Sequence, residues 1–277
     1  MAALKTLLAG AGSKQVGAHC NVPPLEANGL LFFPGSLEGC PVVLTASGIG
    51  PERAEKATRK LLELFSIKTI LSLGYAGALR PGAKTGELVI VRNVLLGIRE
   101  KTANPPVSPF IKGGPKGDYY PCHHLLVGFA QKVAEEEAKN FKMHLGDLLT
   151  VEEPINRPED KHQAGLLTGT LAVDMESAGV AVAAREAHIP FMALKVILDE
   201  VDEELKGTEL VDGEGRVRLL KTLVYLLCHP WDIIRFIRLN SQAERAAREL
   251  TRFLLILVKK LNEVQIIPLN PPLLKGE

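Results

Sequence analysis

Short apolar runs alternate with segments of helical periodicity along most of the chain. The runs are rich in β-branched residues and nearly continuous in apolar character, which is typical of strands buried on both faces of a sheet. They cover residues 41–46, 69–73, 87–95, 170–173 and 191–198, and helical periodicity covers 51–65, 124–140 and 177–187. Strands that alternate with helices predict an α/β fold, in which a largely parallel sheet is covered by helices on both sides.

The length and charge of the chain fit one domain that binds a small molecule. The chain has 277 residues, and α/β domains of this size often remain undivided, so we expect one domain over residues 1–268. Hydrophobic residues make up 46% and charged residues 23%, as in ordinary globular proteins. The 33 basic residues nearly balance the 32 acidic residues, which argues against nucleic acid as a partner and favours a small-molecule substrate.

The cysteines and the apolar runs indicate a cytoplasmic protein. Four cysteines are scattered without a C-x-x-C pair, which fits a reducing compartment. The adjacent His123 and His124 have no second pair to complete a metal site, so no metal is expected. The N-terminal apolar run is broken by Lys5 and predicts a first strand rather than a signal peptide. Charged residues interrupt every long apolar stretch, so no membrane-spanning helix is expected.

Three segments differ from this pattern. Residues 104–117 are rich in proline and glycine and are predicted to form a surface loop, and residues 269–277 are predicted to form a disordered tail. Residues 217–262 are helical in propensity and unusually apolar, with interleaved arginines. We favour C-terminal helices that pack on the sheet with their basic residues in solvent. The second interpretation is a peripheral contact with the inner membrane, or a cover over the entrance to an apolar substrate site.

Two glycine-bearing turns follow predicted strands. They contain Ser47 and Gly48 in the first turn, and Gly74, Tyr75, Ala76 and Gly77 in the second. In an open α/β sheet ligands bind beyond the carboxyl ends of strands, where glycines let backbone amides approach an anion or a ribose. The two turns together predict one substrate crevice, and glycines that serve only steric needs are the alternative for either turn.

Two acidic sites also follow predicted strands. Asp174, Met175 and Glu176 stand where a strand ends and a helix of small residues begins. A carboxylate there can accept two hydrogen bonds from a vicinal diol, and Met175 can supply an apolar wall for a sugar. The structural alternative makes Asp174 the cap of that helix and Glu176 a partner of its dipole. Asp199 ends an apolar strand, where desolvation raises the pKa of a carboxylic acid and suits it to protonate a leaving base.

These motifs, in this order, resemble the nucleoside phosphorylase and nucleosidase superfamily, which includes purine nucleoside phosphorylases and methylthioadenosine/S-adenosylhomocysteine nucleosidases. The similarity runs from about residue 41 to about residue 205, and the Asp-Met-Glu block is its most specific element. It implies a three-layer α/β/α sandwich with a central mixed sheet, and a homo-oligomer whose neighbouring subunit often completes the site. By position, Glu176 is expected to hold the ribose hydroxyls, Met175 to pack on the sugar, and Asp199 to protonate atom N7 of the purine.

The sequence leaves the attacking group open. The chain has Ser72 and Tyr75 where many phosphorylases carry phosphate ligands, and residues 10–15 lack the glutamate with which the nucleosidases orient water. Gly10 and Lys14 are the candidate phosphate ligands, so inorganic phosphate is a potential co-substrate. No other cofactor is expected.

A narrower resemblance, to the hopanoid-associated phosphorylases, rests on residues 150–155, Lys161, Gly169, residues 174–177 and residues 229–234. It implies release of adenine from adenosylhopane, a lipid-linked nucleoside, during hopanoid side-chain synthesis. The first alternative is a nucleosidase that acts on methylthioadenosine or S-adenosylhomocysteine in purine salvage. The second is a nucleoside-binding protein without turnover. The presence of both Glu176 and Asp199 argues against the second alternative, because a binding protein needs no proton donor.

Overall fold

The computed structural model describes residues 18–19, 23–97, 118–204 and 232–264. The predicted first strand, the loop at 104–117 and the tail at 269–277 lie outside these ranges. So do Gly10, Lys14 and residues 217–231 of the apolar C-terminal segment. The expectations for those residues therefore stay predictions, as does the single-domain assignment.

A small antiparallel sheet opens the described part of the chain. Its strands are β1 (Ala18–His19), β2 (Leu25–Ala27), β3 (Leu30–Leu37) and β4 (Cys40–Thr45). β3 pairs with each of the other three in antiparallel orientation. Phe32 in β3 is fully buried and its ring lies 6.0 Å from the ring of Phe65, at the end of the next helix. This aromatic contact fixes the small sheet against that helix.

A mixed sheet of six strands forms the centre of the fold. Its strands are β5 (Ile70–Ala78), β6 (Leu88–Leu96), β7 (Tyr119–Pro121), β8 (Met143–Thr150), β9 (Ala172–Asp174) and β10 (Phe191–Asp199). Parallel pairs join β5 to β10, β6 to β8 and β8 to β9, whereas β5–β9, β6–β10 and β6–β7 are antiparallel. All of these strands except β7 pair in a closed ring, so the ring has no free edge. The expected α/β fold with a mixed central sheet is confirmed.

Helices cover both faces of this sheet. Those in the described residues are α1 (Pro51–Leu64), α2 (His124–Glu136), α3 (Pro158–Thr168), α4 (Ser177–Glu186) and α5 (Asp232–Glu263). Successive side chains of a strand point to opposite faces, and β5 shows this directly. Ser72 forms a hydrogen bond with Ser177 at the start of α4, whereas Leu73 packs near Leu254 of α5. The layers thus follow the expected α/β/α order.

The described part of the apolar C-terminal segment is one long helix that packs on the sheet. From residue 241 onward, α5 buries Ala246, Leu250, Phe253, Leu257 and Leu261 in the main core, at helical spacing. The side chains of Arg248 and Arg252 are more than half exposed. This arrangement supports the interpretation that we favoured for the segment. No helix among the described residues is long and apolar enough to cross a membrane.

Helices α1 and α4 approach each other closely at Gly179 of α4. A Cβ atom added to Gly179 would lie 1.9 Å from the carbonyl oxygen of Pro51, the first residue of α1. No side chain fits in that gap, so the two helices touch backbone to backbone. The contact brings the turn before α1 beside the start of α4, where two of the predicted site segments lie.

We predict that Gly179→Ala lowers the free energy of unfolding by about 1–3 kcal/mol, because the added methyl group forces α1 and α4 apart. Gly128→Ala in α2 is the matched control. Gly128 is exposed and has no neighbouring atom within 4 Å of an added Cβ, so its replacement should stabilise the helix by about 0.5–1 kcal/mol. Urea unfolding of the two variants measures both effects, and a stabilising Gly179→Ala would contradict the packing described.

Candidate active site

The residues predicted to form the second glycine turn lie instead in the last part of β5, because the strand continues to Ala78. The structure brings them to one place with both acidic segments. Gly77 in β5 pairs with Asp199 in β10 on one side and with Val173 in β9 on the other. A Cβ atom on Gly77 would lie 3.0 Å from Oδ2 of Asp199, so only glycine leaves this carboxyl group its space. The segment 174–176 follows β9 directly. The end of β5 therefore lies between the two acids that the sequence singled out.

Asp174 is a buried acid whose hydrogen bonds all go to protein groups. Its carboxylate accepts from the Thr150 hydroxyl at 2.6 Å and from the Ser177 backbone amide at 3.0 Å. The ammonium of Lys195 lies 2.9 Å from its Oδ2 atom and also donates to Ser72 at 3.2 Å. The side chain of Asp174 is 0% exposed. Three protein donors on a side chain without solvent exposure favour the structural alternative, in which Asp174 supports the start of α4. Direct contact of Asp174 with substrate stays a prediction.

Glu176 occupies the cap position of α4 and faces the turn before α1. Its Oε1 atom accepts a hydrogen bond from the Gly50 backbone amide at 3.4 Å, which leaves further acceptor sites on the carboxylate. Burial raises the pKa of Glu176 to about 7, and the nearby charge of Asp174 adds to the rise. Lys195 and the Gly50 amide oppose it. Glu176 is thus ionised in part near neutral pH and can act as a hydrogen-bond acceptor for a diol.

Met175 lies between Asp174 and Glu176 in the chain and contributes an apolar surface. It is partly buried and packs against the cluster formed by the side chains of Leu79, Leu95, Leu149, Val151 and Ile155, among others. A thioether held in this way is a soft, adaptable wall. Its position is compatible with the predicted packing on a sugar, which stays a prediction.

Asp199 is buried at the end of β10 and forms an ion pair with Lys161 of α3. The distance from Nζ of Lys161 to Oδ2 of Asp199 is 2.5 Å. Burial raises the pKa of Asp199 above its usual value, the ammonium of Lys161 opposes the rise, and Glu203 adds to it. The direction of the shift is the one that the sequence led us to expect for a proton donor.

The first glycine turn reaches the site through Gly50. The Ser47 hydroxyl donates to the carbonyl oxygen of its neighbour Gly48 at 3.0 Å, a contact within the turn. Of this turn, Gly50 bonds to Glu176. Ser47 and Gly48 are the predicted site residues of this turn, whereas the residue bound to Glu176 is Gly50, the last residue of the Ser-Gly-Ile-Gly motif.

Tyr75 contacts the C-terminal helix. Its hydroxyl donates to the Ala243 carbonyl oxygen of α5 at 3.1 Å, and burial raises its pKa, with a further contribution from the charge of Glu244. A substrate contact from Tyr75 is therefore left to its backbone or its ring. The roles predicted for Gly74, Ala76 and Gly77 rest on their place beside Asp199 and the segment 174–176, and they stay predictions.

Two lysines of the site were missed as functional residues. Lys195 did leave a signal, because a single lysine in an otherwise apolar strand must have a buried partner. Lys161 enters the sequence argument only as part of the narrower resemblance, without a role. The helical pattern of α3 is too weak to place it, and its partner lies 38 positions away. In the described part of the chain no group of acids, histidines and cysteines could hold a metal ion, and the expectation for phosphate at Gly10 and Lys14 falls on residues outside it.

A surface cleft of about 480 Å³ lies next to this region and contains neither Glu176 nor Asp199. Glu200 and Glu203, which follow β10, form part of its wall. The rest of the lining carries charges of both signs, from Lys84, Glu87, Lys142, Arg245, Arg248 and Glu249. The cleft alone therefore indicates no particular ligand.

Comparison with known proteins identifies the family and the fold. Residues 8–221 match the family model described as "Phosphorylase superfamily". A relative from Exiguobacterium sp., a 5′-methylthioadenosine/S-adenosylhomocysteine nucleosidase, is 30% identical over 176 residues, which cover 62% of this chain and 73% of the relative.

Two solved structures share the fold at 19% sequence identity. The 5′-methylthioadenosine/S-adenosylhomocysteine nucleosidase of Neisseria meningitidis, in complex with methylthio-immucillin-A, has a TM-score of 0.68 and covers 94% of this chain and 96% of its own. The futalosine hydrolase of Helicobacter pylori has a TM-score of 0.65 and covers 87% of this chain and 90% of its own.

These matches confirm the resemblance seen in the sequence. They also confirm the expected enzyme class, a phosphorylase or nucleosidase that cleaves nucleosides. The chain belongs to the phosphorylase superfamily.

Proposed function

We propose that this protein is a nucleosidase that hydrolyses the N-glycosidic bond of methylthioadenosine or S-adenosylhomocysteine and releases adenine. The observation that carries the proposal is the placement of two differently supported acids on either side of β5. Glu176 keeps free acceptor sites beside the Gly50 amide, and Asp199 is held by Lys161. Two strand spacings of about 4.8 Å separate β9 from β10, which leaves room for a nucleoside between the acids. The nucleosidases among the relatives support the substrate class.

The two acids divide the chemistry between them. Ionised Glu176 accepts hydrogen bonds from the 2′ and 3′ hydroxyls and fixes the ribose, while Met175 packs on the sugar. Asp199 donates its proton to atom N7 of the purine as the C1′–N9 bond breaks. The bonding electron pair leaves with the base, the sugar acquires oxocarbenium character, and water then attacks C1′. Adenine leaves as a neutral molecule with the proton on N7, and Asp199 is left as a carboxylate. The attacking water loses one proton as it becomes the C1′ hydroxyl, and that proton returns Asp199 to its acid form.

Water is the favoured nucleophile because the described cations near the acids are already paired. Lys161 is bound to Asp199 and Lys195 to Asp174, so neither offers an uncommitted charge to a phosphate dianion. Phosphorolysis with inorganic phosphate at Gly10 and Lys14 is the alternative. Both of these residues lie outside the described ranges.

Adenosylhopane remains a prediction as the substrate. The relatives are named as nucleosidases of methylthioadenosine and S-adenosylhomocysteine, which favours the first alternative, a nucleosidase of purine salvage. A lipid-linked substrate, peripheral contact with the inner membrane, a cytoplasmic location and a homo-oligomer likewise stay predictions.

We predict that the purified protein releases adenine from methylthioadenosine or S-adenosylhomocysteine without phosphate and yields the free sugar. Asp199→Asn should lower kcat by about 100- to 10,000-fold, the usual contribution of a general acid. Asp202→Asn is the matched control, because Asp202 lies three positions away and its side chain is 80% exposed. The measurement is chromatography of base and sugar.

Strict dependence on phosphate would establish phosphorolysis instead. Nucleoside binding without release of base under any condition would establish a binding protein.

Adenosylhopane in detergent micelles tests the lipid-linked alternative in the same assay. We expect kcat/KM for methylthioadenosine or S-adenosylhomocysteine to exceed that for adenosylhopane. A preference for the lipid by about 100-fold or more, equal to roughly 2.7 kcal/mol of transition-state binding, would reverse the substrate assignment.

Glu176 should control the acidic side of the pH profile. We predict that kcat/KM for ribonucleosides falls as the pH drops below about 7, because protonated Glu176 cannot accept two hydrogen bonds from the diol. Glu176→Gln should be less active and should lack this decline, since its side chain does not titrate. Initial rates across the pH range measure both effects. If kcat/KM of Glu176→Gln still declined below about pH 7 as in the wild type, Glu176 would not be the residue that binds the diol.

The raised pKa of Glu176 also predicts a stability cost. The folded protein retains this proton up to about pH 7, whereas an unfolded glutamate loses it near its ordinary pKa. The unfolded state therefore binds fewer protons in this interval, and the contribution of Glu176 to stability falls as the pH rises through it. We expect Glu176→Gln to stabilise the protein by about 1–3 kcal/mol more at pH 8 than at pH 5. Thermal or urea unfolding at the two pH values measures the difference, which would be absent if Glu176 were ordinarily solvated.

A further inference from the structure

Lys161 is a charged side chain that has no contact with solvent. It is 0% exposed, and its ammonium donates to Oδ2 of Asp199 at 2.5 Å and to the carbonyl oxygens of Glu200 at 3.0 Å and Glu203 at 2.6 Å. An ammonium group has three N–H bonds, so all three have acceptors. A buried charge is costly unless it is paired and hydrogen-bonded in this way. This complete set of acceptors fixes the ammonium in one position, beside Asp199.

The helix that carries Lys161 is fixed to the strand ends of the site. Ala164, one turn further along α3, is fully buried in the cluster that contains Leu79 and Val173. Leu79 follows β5, which pairs with β10 at Asp199, and Val173 belongs to β9 on the other side of β5. The ammonium therefore reaches Asp199 from a firmly packed support. It also ties the loop after β10 to the same helix.

We propose that Lys161 is a positioning residue for the proton transfer at Asp199, an inference that rests on the function proposed above. It binds Oδ2 and so directs Oδ1 to the purine. During the reaction the O–H bond of Asp199 breaks, the N7–H bond forms, and the electron pair stays on the carboxylate. Lys161 remains an ammonium throughout and stabilises the negative charge that appears beside it.

The charges around Asp199 make Lys161 the group that favours its carboxylate form. Burial and the charge of Glu203 favour the carboxylic acid, and Lys161 opposes both. The acid can thus hold a proton in the site and still release it to the base. Lys195 lies on β10 itself, and Asp174 and Glu176 lie across β5. The other charged or titratable groups near this strand end are Glu87 after the β5–β6 turn, Glu200 and Asp202 in the following loop, and His162 on α3.

The test is a kinetic comparison of Lys161→Met with the wild type over a range of pH. Methionine is one atom shorter than lysine, fills most of the same volume and removes the charge. We expect kcat to fall by about 10- to 100-fold, with KM nearly unchanged, because a positioned general acid contributes at least this much. The basic limb of the profile should move upward by about 1–3 pH units, since loss of a neighbouring positive charge raises the pKa of Asp199.

A double-mutant cycle separates action through Asp199 from a general structural role. In an Asp199→Asn background, Lys161→Met should cause no further loss of kcat, because its target is already gone. His162→Gln is the matched control. His162 is the next residue of α3 and its Nε2 atom contacts Asp202 in the same loop at 2.7 Å, at the surface. It should leave the basic limb where the wild type has it.

The outcomes distinguish this proposal from the proposed function. If the wild type releases no adenine, or if Asp199→Asn retains full activity, the function assigned to the site fails. The proposal for Lys161 is overturned by two results obtained while the wild type and Asp199→Asn behave as expected. Lys161→Met leaves the basic limb of the pH profile unshifted, and it lowers kcat in the Asp199→Asn background as much as in the wild type. Lys161 then has a structural role alone. Lys161→Arg keeps the charge and is a second test of the proposal if the methionine variant does not fold. Its basic limb should coincide with that of the wild type, and an upward shift would contradict the proposal.

Discussion

A buried ion pair between Lys195 and Asp174 holds the site together. Lys195 comes from β10 and Asp174 from the end of β9, and the pair also bonds to Thr150 of β8, Ser72 of β5 and the first residue of α4. Burial of two charges is offset only where every polar atom finds a partner, and removal of one partner typically costs about 3–5 kcal/mol. The strands and the helix are therefore held in one register, since a shift in any of them would leave a charge unpaired in the core.

The same pair sets the electrostatics of the neighbouring acid. The charge of Asp174 raises the pKa of Glu176, and Lys195 opposes it. Glu176 reaches the site because Gly179 lets α4 touch the start of α1, which places the Gly50 amide beside the carboxylate. Packing between two helices and an ion pair in the sheet thus converge on one side chain. A change in the α1–α4 packing or in the Lys195–Asp174 ion pair would therefore change the pKa of Glu176.

The sequence predicts the parts of this site that lie on regular elements and misses those that depend on contacts across the fold. Asp199 and Glu176 are found because each ends or follows a strongly apolar strand. The same alternation predicts β4, β5, β6, β9 and β10, although β5 extends to Ala78, five residues beyond its predicted end. β8 and α3 escape prediction, because β8 mixes His144, Gly146 and Asp147 with apolar residues and α3 has no marked apolar face. Lys161 therefore lies on an element that periodicity cannot place.

The two acids of the site have their pKa values shifted by different groups, and this difference supports the separate roles proposed for them. Glu176 has a neighbouring acid, and its ionised form is favoured only by Lys195, which is paired with Asp174, and by backbone amides. Its charge is therefore weakly supported, and acceptor sites remain free for a ligand. Asp199 has a lysine on one oxygen, so its charged form is supported from within the protein. A group that must accept hydrogen bonds from a substrate needs open lone pairs, whereas a group that must give up a proton needs a stabilised conjugate base. Lys195 binds Asp174 and Lys161 binds Asp199, so Glu176 alone of the three acids has no lysine bound to it. The proposed division of roles between Glu176 and Asp199 thus rests on which carboxylate each lysine reaches.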